Sequence, residues 1–73
     1  MEDSKLEIQI IELKVQYTRY RYFRAKSELN KLRALEEEDF ETAAKERDNL
    51  VVLAEKIHEV SIKRNELLNS KKQ

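Results

Sequence analysis

Ile8, Ile11, Val15, Thr18, Tyr22, Ala25, Leu29 and Leu32 follow one another three and four positions apart. That alternation is the a/d spacing of a coiled-coil seam, since it keeps one stripe of a helix turned toward a neighbour. Leu6, Ile10, Leu13, Tyr17 and Tyr20 keep the same rhythm on a second stripe, with Glu7, Lys14 and Arg21 on the strip between. A helix built this way can touch two neighbours. In the second half Ala43, Leu50, Leu53, Ile57, Val60 and Leu67 form one seam, and Ala44, Val51, Ala54, His58 and Ile62 lie on an adjacent strip.

Between the halves, Glu36-Glu37-Glu38-Asp39 interrupts the apolar rhythm. The pattern predicts an all-α chain, a single helical domain over 1–73. Its first helix spans about 4–36 and its acidic turn about 37–39. A second helix runs over about 39–70, ahead of a frayed tail at 71–73. Ser4 with Glu7 fits a capping box, and Asp39 fits the N-cap of the second helix, with Glu41 in its first turn. The favoured architecture is an antiparallel two-helix hairpin, each arm roughly 50 Å long. The alternative is one continuous coiled-coil helix of about 100 Å, which would bring Glu36, Asp39 and Glu46 to core positions at a cost of several kcal/mol. A hairpin alone leaves the second stripe of its first helix wet, so a second copy completing a dimer or four-helix bundle is expected.

Composition narrows the chemistry. The 73 residues include no Gly, Pro, Cys or Trp, which removes Gly-dependent phosphate loops, disulfide frameworks and thiolate zinc sites. Fifteen basic and fifteen acidic residues cancel, so any attraction to nucleic acid or anionic lipid must be regional. No apolar run approaches the ~20 residues a membrane span needs, and Met1-Glu2-Asp3-Ser4 lacks signal-peptide character. The expectation is an intracellular, cytoplasmic chain without membrane insertion.

Leu35-Glu36-Glu37-Glu38-Asp39-Phe40-Glu41-Thr42-Ala43-Ala44-Lys45-Glu46-Arg47-Asp48-Asn49-Leu50 joins an acidic turn, an aromatic residue, a small-residue pair, Arg-Asp and an aliphatic. This stretch, within about 29–57, resembles the UVR motif of excision-repair subunits and of adaptors in the Clp protease and protein-arginine kinase system. The resemblance implies a short antiparallel helical hairpin that docks onto another hairpin, without catalysis. It places Phe40 at the hairpin tip and lets Ala43 and Ala44 bring the helices close. Arg47 and Asp48 make polar contacts, and Leu50 faces the partner helix. The first helix is longer than the motif needs, and the run Tyr17 to Phe23 has no counterpart in it.

That run belongs to a basic and aromatic stretch. Lys14, Arg19, Arg21, Arg24, Lys26, Lys31 and Arg33 interleave with Tyr17, Tyr20, Tyr22 and Phe23 against the single acid Glu28. Phosphate neutralisation and base stacking use such residues when they share a face. At helical spacing these do not, so nucleic acid is disfavoured as a partner. The acids of the turn lack the alternating ligands and the Gly of a calcium loop. His58, with no Cys and no second His, reads as a partly buried packing residue. Ser4, Ser27, Ser61 and Ser70 have no base arranged beside them. The expectation is no enzyme, no catalytic residue, no cofactor, no metal and no small-molecule substrate.

What remains is a protein–protein interaction or oligomerisation module, working as a homo-oligomer or on another helical protein. Hairpin packing is assigned to Ile11, Val15, Leu29, Leu32, Phe40, Ala43, Leu50, Ile57 and Val60. The outward partner interface is assigned to Leu6, Ile10, Leu13, Tyr17 and Tyr20, and charge at Leu13 and Tyr17 is then expected to abolish association but spare helicity. A structural coiled-coil segment of a cytoskeletal or vesicle-tethering scaffold and a nucleic-acid binder acting through 14–33 are the alternatives.

Overall fold

A computed structural model describes the backbone of residues 2–72 and the side chains of residues 3–70. Helix α1 (Glu2–Glu36) and helix α2 (Phe40–Lys72) pack side by side as a hairpin. The long axis measures 55 Å against 14 and 12 Å across. A continuous helix of this chain would be about twice as long, so the alternative architecture is excluded. Helix is favoured throughout because no Gly or Pro interrupts either arm and Leu, Glu, Lys, Arg and Ala dominate.

α1 is already under way at Glu2, so Ser4 sits inside the first turn and not ahead of it. Ser4 is therefore not the N-cap that its spacing from Glu7 suggested. α2 likewise continues to Lys72, through the segment expected to fray, while residue 73 lies outside the described residues.

The chain turns within three residues. Asp39 N–H donates to the Ala34 carbonyl at 2.8 Å and Glu38 N–H to the Leu35 carbonyl at 3.1 Å. These two bonds, one spanning five residues and one spanning three, are a Schellman ending, which satisfies carbonyls left over at the helix C-terminus. Its geometry requires one left-handed residue, and that residue is Glu38, with φ 59°. Glycine normally takes this place because a Cβ is strained there. Glu38→Gly is therefore expected to stabilise the hairpin by about 1 kcal/mol. Thermal unfolding should report it as a midpoint about 4–8 °C higher.

Asp39 also begins the next helix. Its carboxylate accepts the Thr42 hydroxyl at 2.6 Å and the Thr42 backbone N–H at 3.2 Å. One residue thus closes α1 through its N–H and caps α2 through its side chain. The Thr42 hydroxyl first, then the Thr42 N–H, hold the Asp39 carboxyl below its ordinary value. A carboxyl depressed in the folded state contributes stability above its unfolded value, and that stability fades as pH falls through the lower folded value. Acid titration of unfolding below about pH 4 should show this loss, and Asp39→Asn should flatten that part of the profile.

The interior is one seam. On α1, Leu6, Ile10, Leu13, Tyr17 and Tyr20 are half-buried. The same three-and-four spacing carries on through half-buried Arg24, buried Ser27, half-buried Lys31 and buried Ala34. On α2, Ala43, Leu50, Leu53, Ile57, Val60 and Leu67 are buried or half-buried, with half-buried Glu46 and Arg64 completing their rhythm. Ala34 and Ala43, 4% and 6% exposed, flank the turn, where the helix axes must be nearest and only small side chains fit.

The two stripes of α1 thus exchange the roles the sequence reading assigned them. Leu6, Ile10, Leu13, Tyr17 and Tyr20, expected outward, lie on the face against α2. Ile11, Val15, Leu29, Leu32 and Phe40, expected to pack the hairpin, are all exposed, Ile11 at 60% and Phe40 at 66%. The cause lies at the turn. Ala34 belongs to the Leu6 stripe, so the stripe that reaches the three-residue connection with a small side chain is the one turned inward. The hairpin does not keep Glu46 out of its seam either. Arg24, Lys31 and Arg64 lie half-buried along it, a placement that their long apolar stems permit. The Arg64 Nε is buried without a hydrogen-bond partner. A seam so rich in polar side chains yields little net stabilisation from burial.

Candidate protein interface

The residues α2 leaves uncovered form their own surface. Ile8, Ile11, Val15, Thr18, Tyr22, Ala25, Leu29 and Leu32 are all exposed and run the length of α1. Each precedes a residue of the inward stripe by two positions: Ile11 before Leu13, Leu29 before Lys31, Leu32 before Ala34. Two residues turn a helix by about 200°, so the stripes stand on nearly opposite sides. Apolar character on opposing sides also explains why α1 has almost no net amphipathicity.

The stripe has no polar gap. The Thr18 hydroxyl donates to the Lys14 carbonyl of its own helix at 2.9 Å, which satisfies the hydroxyl locally and leaves the methyl on the surface. Tyr22 meets Phe23 edge to face at 5.6 Å between ring centroids. Beside the stripe, Arg21 lies 5.7 Å from the centroid of the inward Tyr17 ring.

At the turn the stripe broadens onto α2. Leu32 and Leu35 share a shallow hollow with Leu50 and Lys31, and Leu35, Phe40 and Ala44 share the next with Arg47. Phe40 thus stands at the hairpin end with its ring exposed and does not close the seam. Farther along α2, Val51, Val52 and Ile62 are also exposed. Exposed apolar area this continuous marks an interaction surface more often than a solvated one.

The polar candidates are less concentrated. Arg47 Nε lies 3.7 Å from its sequence neighbour Asp48, and Lys45 pairs with Glu41 at 3.7 Å, one helical turn apart. All four side chains are mostly exposed, so these pairs hold the helix surface weakly. His58 is exposed, not partly buried as its spacing suggested. Within the basic stretch, Tyr17, Tyr20, Arg24 and Lys31 turn inward and Tyr22, Phe23, Arg19, Lys26 and Arg33 outward, so rings and cations do not form one face. Among the described residues no cluster of His, Cys, Asp and Glu could hold a metal ion, and no helix is long and apolar enough to cross a membrane. Comparison of the chain with protein-family models, with curated proteins and with solved structures finds no match.

Proposed function

We propose that this hairpin is a protein–protein interaction and oligomerisation module whose contact surface is the outward stripe of α1. One observation carries the reading: an uninterrupted a/d repeat from Ile8 to Leu32 that its own partner helix does not cover. Sustained over more than three heptads, such a repeat is the recognition element of helix-to-helix association. The polar inner seam supports the same reading, since a hairpin weakly held within itself gains from burial against another molecule. The likeness of residues 29–57 to a docking hairpin agrees with it.

The test is mass and helicity together. The unmodified chain should sediment above its 8.8 kDa monomer mass in a concentration-dependent way, with a thermal midpoint that rises with concentration. Ile11→Glu combined with Leu29→Glu should return it to a monomer with most of its helical circular dichroism intact. An oligomer unaffected by that pair of substitutions would remove the stripe from the interface.

A further inference from the structure

The stripe's flanking charges favour one orientation of a second copy over the other. Numbered as a seam from Ile8, its edge positions are Glu7, Lys14, Arg21, Glu28 and Leu35 on one side and Lys5, Glu12, Arg19, Lys26 and Arg33 on the other. In coiled coils these edges choose partner and orientation. Two parallel copies would set Glu7 against Glu12, Lys14 against Arg19 and Arg21 against Lys26, with Glu28 and Arg33 the only opposite pair. Two antiparallel copies, with Ile8 facing Leu32 of the second copy and Ile11 facing its Leu29, instead set Lys14 against Glu28 and Glu12 against Lys26, each twice by symmetry. The like pairs that remain are Lys5 with Arg33 and the self-pairs of Arg19 and Arg21. Counting both symmetry copies, four opposite pairs stand against four like ones, compared with two against six in the parallel case.

The ends of α1 reinforce this choice. Its first third carries Asp3, Glu7 and Glu12 against Lys5, whereas its last third carries Lys26, Lys31 and Arg33 against Glu28 and the terminal Glu36. Reversing one copy lays Glu7 and Glu12 on the stretch from Lys26 to Arg33, although Asp3 then meets the acids of the turn, and it opposes the two helix dipoles.

Resting on the reading of the stripe as an interface, we infer that its occupant is a second copy of this chain, packed α1 against α1 in antiparallel, twofold-symmetric fashion. The charged strip of Glu7, Lys14, Arg21 and Glu28 lies between the outward stripe and α2. It keeps the second copy out of the groove between the helices, so the two α2 helices stand on the outside and the four helices form a row. A symmetric contact of this kind closes on itself and stops at two chains.

Because the chain has no cysteine, oxidative cross-linking reads the orientation directly. Ile11→Cys and Leu29→Cys variants, each checked for native helicity, are equilibrated in a thiol redox buffer alone and as an equimolar mixture. The mixture should yield a covalent dimer joining position 11 to position 29, at least tenfold more than either variant alone. Efficient self-linking of Ile11→Cys would show a parallel pair and overturn the inference while leaving the stripe as the interface. A dimer by mass with neither product would place the contact on another face and overturn it as well. A full chain that stays monomeric at several hundred micromolar would sink both this inference and the oligomerisation reading beneath it.

Discussion

Val60→Asp should leave the chain largely unfolded in dilute buffer. Val60 is 6% exposed, the most enclosed large side chain of α2. A carboxylate there loses its water, and even paired with Arg64, one turn along the same seam, it replaces apolar packing at a cost of about 1–4 kcal/mol. Small two-helix units rarely have that much stability in reserve. Val52→Asp is the matched control: the same exchange on the same helix, at a site 52% exposed and turned from α1. Its effect should stay within about 0.5 kcal/mol. Urea titration followed by circular dichroism measures both. Equal sensitivity at the two positions would mean that the hairpin does not close along the Val60 face.

Leu13→Asp with Tyr17→Asp is the second large effect. Read from spacing alone, these residues face a partner, and the double substitution would dissociate an oligomer but leave its helices. In the folded chain they lie half-buried against α2, so two carboxylates between the helices should melt the hairpin itself. Helical signal at 25 °C should fall by more than half. The contrast is Ile11→Glu with Leu29→Glu, which introduces the same number of charges on the opposite side of α1 and should spare the helices. Retained helicity in the Leu13 and Tyr17 variant would restore the original assignment of the two stripes.

Much of the turn is legible in residue order. Four acids in a row stop an apolar rhythm, and Asp39 caps the second helix as expected, through bonds to Thr42. What residue order hides is the way α1 ends. A Schellman ending advertises itself by Gly, and here a glutamate occupies the left-handed position. The strain at Glu38 is tolerated because the two bonds from Glu38 and Asp39 back to Leu35 and Ala34 over-determine the loop. The small side chain that could have marked the inner stripe was Ala34, opposite Ala43 across the turn. Its signal was weak because the same stripe passes through Arg24, Ser27 and Lys31 before reaching it.

Residue order by itself favoured two helices over one continuous helix, and it determined where any break between them falls and the presence of two equally spaced stripes on the first. Those follow from local rules: helix propensity without breakers, capping chemistry, and a periodicity that any observer can count. Which stripe went inside was decided only by the tertiary fold. Periodicity is blind to that choice, because both stripes satisfy it. The length of the connection broke the tie, since three residues force the axes together beside Ala34 and Ala43 and admit only the stripe that ends in a methyl group. The more apolar stripe was thereby left facing water, and the surface available to another molecule was set by close approach at the turn more than by hydrophobicity along the helix.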